Sequence, residues 1–419
     1  MNIKIYPSES KGSINGISSK SYAHRFLIAA ALSSGVSTLD NVILNDDILR
    51  TIEGLKVLGA QFVIFDHTIR IHGIDLKKRH EHVVINAHES GSTLRFLIPL
   101  ASHLSASTTF RGSETLLKRP LSVYEKLYKE HDIQFEMIDQ DLHLGSFPRQ
   151  TQYRISGAVS SQFISGLLFV FPLLDYSSEL IIVDHIASKP YVDLTLSIME
   201  KFGLTVIEKD NTYFVEKNQS YKPIHEYCEN DFSQAAFFAI LGAINHEVSL
   251  SGLSLQSKQG DKQFISDLQH LGVNIEIDEL ITIFKSSIKS GTIDLEATPD
   301  LGPIYFVLAL FSEEQIVFTN TKRLAIKESN RVEAMRIELE KIGATMIVSD
   351  NQVIVKRLEH PIYTECFNTH NDHRIAMALS ILATTLPWPT IINNADCVNK
   401  SYPDFFKHLR SLNIHLEEL

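Results

Sequence analysis

Seven cations stand where an apolar helix is about to begin or has just begun: Lys20, Arg25, Arg95, Arg119, Lys327, Arg331 and Arg374. A helix dipole opposes a cation at the N-terminus and favours an anion there. Guanidinium groups grip phosphate and carboxylate through paired hydrogen bonds. Cations in such places, each near Ser, Asn or Gly, are what a site for small, multiply anionic substrates requires. Two carboxylates, Asp300 and Glu328, accompany them and are available for proton transfer.

In Ser18–Leu32 (SSKSYAHRFLIAAAL), Ser18 and Ser19 can cap a helix whose apolar stripe is Phe26, Leu27, Ala30 and Ala31; Lys20, Ser21 and Arg25 lie in or beside its first turn. A solvated basic turn is the competing account. In Glu89–Arg95 (ESGSTLR), Gly91 permits close approach of a ligand to the backbone, and Ser92 or Thr93 is placed to cap the helix that follows. An ordinary loop-to-helix junction would look the same. Arg119-Pro120 is expected to open another helix, with Pro120 at its first position. Ser160, Ser161 and Gln162 precede an apolar run from Phe163, where a simple cap is the blander account.

In the second half, Asp300 follows Thr298 and Pro299 before IYFVLALF, and it is either an N-cap or a proton-transfer group. Lys327–Arg331 (KESNR) opens a helix that Asn330 and Glu333 can cap as a pair. Asn371–Arg374 (NDHR) opens IAMALSILA, and Lys400 follows in NKSYPDFF. His370, Asp372 and His373 are adjacent on a turning backbone, so no metal site is expected of them.

The elements that must position these residues recur. Six segments share an amphipathic helix, a residue tolerant of positive φ, an alternating strand and a polar turn. The closing residues are Gly59, Asp132, Gly203, Gly272, Gly343 and Asn413, separated by 73, 71, 69, 71 and 70 residues. Generic helix-then-hairpin units would not keep their length so evenly. Three such units make an ordinary domain of about 200 residues. The polar stretch Lys217–Asn230 suggests one boundary, and GSING at Gly12–Gly16 suggests a second crossing that lets Met1–Lys11 pair with the second half. The expected domains are 14–223, and 1–13 with 224–419, with the site in the cleft between them.

Composition narrows the partners. The chain has 419 residues, 44% hydrophobic and 21% charged, with a formal charge of -11. These values exclude disordered, collagen-like and coiled-coil classes. The negative charge disfavours nucleic acid and anionic membranes. Three cysteines, Cys228, Cys366 and Cys397, are too few and too scattered for a disulfide framework, and Met1–Ser10 lacks the pattern of a secretory signal, so a cytoplasmic location is expected. The most apolar run, Phe163–Leu174, is about half of the roughly 20 residues that a bilayer requires and reads as a buried helix.

Together, SSKSYAHR, ESGSTLR, KRPL, VSSQF, SKPY, ENDFSQAAF, TPD, KESNR, NDHRIAMA and NKSYPDFF, in this order over the whole chain, resemble the EPSP synthase (3-phosphoshikimate 1-carboxyvinyltransferase) family of enolpyruvyl transferases. The resemblance implies a two-domain inside-out α/β barrel of six units, three per domain. It implies transfer of the enolpyruvyl group of phosphoenolpyruvate to the 5-hydroxyl of shikimate 3-phosphate, in the shikimate pathway, with no metal or organic cofactor. Ser21, Arg25, Ser160, Ser161, Gln162, Ser188, Tyr191, Asp300 and Lys327 would hold shikimate 3-phosphate. Lys20, Gly91, Arg119, Gln162, Arg331, Arg374 and Lys400 would hold phosphoenolpyruvate. Glu328, with Lys20, would protonate the methylene carbon, and Asp300 would take the hydroxyl proton. A monomer acting on these two small molecules is expected.

Three positions depart from the family pattern: Glu89 where many members have Asn, Asn330 where Asp is usual, and Arg323 where some members have Asn. The alternatives are the enolpyruvyl transferase acting on UDP-N-acetylglucosamine and a noncatalytic anion-binding protein on the same scaffold. The former usually carries Lys-Asn where this chain has Lys20-Ser21, and a loop Cys where Gly112–Lys118 has none. The presence of both Asp300 and Glu328 disfavours the latter.

Overall fold

In the computed structural model, which describes Met1–Leu419, the six closing residues Gly59, Asp132, Gly203, Gly272, Gly343 and Asn413 all have positive φ, at 109, 55, 82, 83, 83 and 67°. Each follows the end of a helix: Asp46–Val57, Ser122–Lys129, Lys189–Lys201, Phe264–His270, Arg331–Glu340 and Phe405–Ser411. Only Gly, Asn and Asp visit that backbone region at low cost, and this is why the repeat is visible in the sequence.

Around these caps the chain builds six four-stranded sheets on one plan. In the second, strand His80–Asn86 runs parallel to Ser105–Arg111, with the helix Gly91–Leu104 between them in sequence. After the capped helix, the hairpin Phe135–Ile138 and Asp141–Leu144 adds antiparallel through its second strand. Its turn, Asp139-Gln140, has φ of 50 and 67°, as a tight two-residue hairpin needs.

Three sheets depart from consecutive order. Strand Ser13–Asn15 joins Glu247–Ser251 in parallel, and His225–Tyr227 joins Val36–Asp40 in parallel, so the first and fourth sheets exchange their leading strands. The sixth sheet takes Ile3–Ile5 as its missing hairpin strand, paired antiparallel to Thr390–Asn393 and Leu416–Glu418. The chain accordingly divides into Ser18–Glu229 and a unit made of Met1–Ile17 with Asn230–Leu419. Where the sequence suggested cuts at 13/14 and 223/224, these two exchanged strands place them at 17/18 and 229/230.

Within each unit, three helices are the interior: Lys20–Ala31, Gly91–Leu104 and Ser161–Val170 in one, Phe232–Ile244, Gly302–Ala309 and His373–Ala383 in the other. Every residue of Phe232–Ile244 is buried. Helices apolar all round cannot lie on a surface, whereas strands that alternate can keep one face in water. Leu39, Ile69 and Ile71 point inward from the first sheet while Val63 and Phe65 are exposed, so helices lie inside and sheets outside. No helix is long and apolar enough to cross a membrane.

Candidate active site

In the unit containing Asn230–Leu419, the candidate residues converge on one buried guanidinium. Arg331, 1% exposed, opens the helix Arg331–Glu340, capped by Asn330, whose side chain accepts from the Glu333 amide. Glu333 does not complete a reciprocal capping box; its carboxylate takes Arg336 instead. The Arg331 nitrogens reach three carboxylates: Nη1 to Asp300 at 2.6 Å, Nη2 to Glu328 at 2.8 Å, and Nε to Asp372 at 2.9 Å. Burial alone would lower the Arg331 pKa, but Asp372, Glu328 and Asp300 outweigh it and hold the guanidinium above its ordinary value.

Asp300 is not an N-cap. The short 3-10 turn Pro299–Leu301 precedes the helix Gly302–Ala309, which has no side-chain cap, and the Asp300 carboxylate instead meets Lys327 Nζ at 3.0 Å and Arg331. Burial would raise the Asp300 pKa, but Lys327, Arg374 and Arg331 drive it well below the usual carboxylate range. Burial, with Arg323 and Arg331 close by, brings the Lys327 ammonium below its usual value despite Asp300. Lys400 Nζ lies 3.7 Å from Glu328. Asp372 caps His373–Ala383 by accepting from the Arg374 amide. The Arg374 guanidinium bonds Ser233 Oγ at 2.7 Å and the carbonyl of Asp300 at 3.4 Å, and it lies over the Phe237 ring. Four cations thus surround three carboxylates.

In Ser18–Glu229, the candidates gather at the starts of the buried helices. Ser19 caps the helix that Lys20 opens, and Lys20 Nζ pairs with Asp47 at 2.8 Å. Arg25, 2% exposed, lies in the second turn and donates to Thr195 Oγ1 and to the carbonyls of Ser21 and Tyr191, which ties three predicted residues together. Burial lowers its pKa to about 10. Ser160 caps Ser161–Val170. Gln162 accepts from Arg95 Nη1 and donates to Ser92 Oγ, both at 2.9 Å. Pro99 cannot bond back to the Arg95 carbonyl; Tyr124 Oη satisfies it at 3.0 Å, so the helix start stays ordered. A Cβ on Gly91 would stand 3.0 Å from Arg119 Nη1, so glycine lets that guanidinium approach. Ser188 holds a left-handed conformation, φ 54°, directly before Lys189–Lys201; such strain in a non-glycine residue persists where surroundings enforce it.

Two capping expectations change. Ser90, rather than Ser92 or Thr93, caps Gly91–Leu104, which frees Ser92 to bond Gln162. Arg119-Pro120 lies between Glu114–Leu117, capped by Ser113, and Ser122–Lys129, so Pro120 is outside both helices. Sequence reasoning also missed the partners of the cations: Asp47, Thr195, Ser233 and, as the partner of Arg331, Asp372. Ser233 and Thr195 had a signal, a polar residue on a face otherwise buried. Asp47 had none, since an acid in the first turn of a helix already complements its dipole.

Comparison with known structures places the architecture first. An enolpyruvyl transferase, NikO from Streptomyces tendae, superposes with a TM-score of 0.81 over 99% of this chain and 98% of its own, at 14% identity. An EPSP synthase from Acinetobacter baumannii matches at a TM-score of 0.79 over 100% of both chains, at 21% identity. At these identities the likeness is one of fold: the two-domain inside-out α/β barrel. The 3-phosphoshikimate 1-carboxyvinyltransferase of Clostridium perfringens is 39% identical over 415 residues, 97% of each chain. The family model for EPSP synthase (3-phosphoshikimate 1-carboxyvinyltransferase) matches residues 6–409, and the chain belongs to that family.

Proposed function

We propose that this protein transfers the enolpyruvyl group of phosphoenolpyruvate to the 5-hydroxyl of shikimate 3-phosphate, with release of phosphate, by addition and then elimination. The observation that carries the reading is the convergence of Asp300 and Glu328 on Arg331, among Lys327, Arg374 and Lys400. Addition needs a proton delivered to the methylene carbon and one removed from the hydroxyl. Elimination removes a proton from the methyl group so formed as the C–O bond to phosphate breaks, and needs positive groups on the departing phosphate.

In this reading Glu328, with Lys20, protonates the carbon, and Asp300 takes the hydroxyl proton. Asp300 is ionised in the free protein because cations surround it, so it is in the form that can accept a proton. Those cations also make it a weak base. Once they engage the substrates' own anionic groups, less of their charge falls on Asp300, and its affinity for a proton rises.

Lys20, the Gly91 loop, Arg119, Gln162, Arg331, Arg374 and Lys400 are assigned to phosphoenolpyruvate. Ser21, Arg25, Ser160, Ser161, Gln162, Ser188, Tyr191, Asp300 and Lys327 are assigned to shikimate 3-phosphate. Arg25 already uses three of its five N–H donors within the protein, so it braces Ser21 and Tyr191 as much as it binds. The protein is read as a cytoplasmic monomer that acts on these two small molecules. A phosphate-release assay tests the reading: turnover is expected only with both substrates present. Release from phosphoenolpyruvate alone, or equal turnover with UDP-N-acetylglucosamine as acceptor, would sink it.

A further inference from the structure

A carboxylate with no exposure is costly unless donors take its lone pairs. Glu338 is such a group, 0% exposed on the helix Arg331–Glu340. It accepts from Lys341 Nζ at 2.6 Å, from the backbone N–H of Asn368 at 2.9 Å and from His370 Nε2 at 2.9 Å. Arg331 and Glu338 are seven residues apart, two turns of helix, and so share one face. Both grip the same loop: Arg331 holds Asp372, and Glu338 holds Asn368 and His370.

The loop between those grips is a tight left-handed turn. His370 and Asn371 are successive left-handed residues, φ 51 and 55°; asparagine takes that region at low cost, whereas the bulkier histidine is held there by its surroundings. Across the loop, Asn394 donates from Nδ2 to Asn371 Oδ1 at 3.2 Å, and its carbonyl accepts from Thr369 Oγ1 at 3.2 Å. The next residue, Asp372, receives Arg331 and Ser329 and caps the helix bearing Arg374.

We propose that Glu338 is a positioning residue: through His370 and Asn368 it holds the left-handed turn that sets Asp372, and thereby fixes the Arg331 and Arg374 guanidiniums for phosphoenolpyruvate. Stability alone does not account for the group, since a buried ion pair exchanged for apolar side chains is often neutral or stabilising. What directional bonds add is a fixed geometry, and a small displacement of a binding cation is enough to lose affinity. The inference rests on the assignment of Arg331 and Arg374 to phosphoenolpyruvate.

The test is steady-state phosphate release with each substrate varied in turn, for Glu338→Ala, Glu338→Gln, His370→Ala, the double alanine variant and Arg374→Gln, on protein shown to be folded by circular dichroism. Glu338→Ala should raise KM for phosphoenolpyruvate about tenfold while KM for shikimate 3-phosphate stays within about twofold. Glu338→Gln, which keeps an acceptor for the Asn368 amide, should recover most of the loss. His370→Ala should resemble Glu338→Ala, and the double variant should be no worse than either single one, because both break one connection. His370 keeps 30% side-chain exposure, so that variant carries the test if Glu338→Ala does not fold. An unchanged KM for phosphoenolpyruvate in the folded variants, an equal rise for both substrates, or additive losses would overturn the inference. Arg374→Gln separates the two levels. If it too leaves KM for phosphoenolpyruvate unchanged, the assignment of that arginine has failed; if it raises KM while the Glu338 and His370 variants do not, only the positioning role has failed.

Discussion

His24 offers a perturbation whose size follows from the structure. It lies on the helix that Lys20 opens, 1% exposed, with Nδ1 bonded to Thr51 Oγ1 at 2.8 Å, while Nε2 meets no hydrogen-bonding group of the protein. Thr51 continues to Thr93, and Thr93 to Ser90, the cap of the helix that begins at Gly91. Burial pushes the imidazole from 6.5 down to about 3; Asp47 opposes the shift, and Lys20 and Arg25 reinforce it. Above pH 6.5 the ring is neutral whether the chain is folded or not. As pH falls through that value the unfolded ring takes a proton that the buried ring refuses, so stability declines until the folded ring also titrates near pH 3.

Between pH 7 and 5 this linkage removes about 2 kcal/mol, a figure that holds for any folded value below about 4. His24→Asn retains a group able to bond Thr51 but cannot titrate. The cavity it leaves lowers stability by the same amount at both pH values and drops out of the comparison. Urea unfolding at pH 7 and pH 5 should therefore show a smaller acid loss in the variant than in the parent, by about 2 kcal/mol. Equal losses would refute the argument that His24 is held neutral.

Other substitutions probe the site itself. Asp300→Asn and Glu328→Gln should each lower kcat by about 10²- to 10⁴-fold, while calorimetry still detects shikimate 3-phosphate binding; undiminished turnover would reduce both carboxylates to structural partners of Arg331. Ser233→Ala removes the 2.7 Å bond to Arg374 and leaves two carbonyl contacts. It should cost about 1 kcal/mol, read as a rise of about fivefold in KM for phosphoenolpyruvate with KM for shikimate 3-phosphate unchanged.

How much of this was legible depended on the range of the interaction. The repeat was readable because a left-handed helix end restricts residue type locally, so Gly59 through Asn413 mark the units one by one. The pairing of Met1–Lys11 with the second half was suggested by GSING, and Ile3–Ile5 does complete the last sheet. The strand His225–Tyr227 was hidden inside a polar stretch, because a three-residue strand exposed on one side has almost no pattern of its own. Asp300 was ambiguous for the same reason: a carboxylate before a helix reads as a cap, and only the arrival of Lys327 and Arg331 from 27 and 31 residues away shows otherwise. The cations were legible one at a time at helix starts. Their partners Asp47, Thr195 and Ser233 were not, since 27, 170 and 141 residues of sequence separate them from Lys20, Arg25 and Arg374.

In each turnover one molecule of phosphoenolpyruvate gives its enolpyruvyl group to the shikimate 3-phosphate hydroxyl and loses its phosphate. Phosphorus NMR of a reaction mixture follows both phosphates at once. The phosphoenolpyruvate signal should fall as inorganic phosphate rises one for one, only when shikimate 3-phosphate is present, and the 3-phosphate monoester should persist in a shifted product signal. Phosphate formed without the acceptor, or drawn from the 3-phosphate itself, would contradict it.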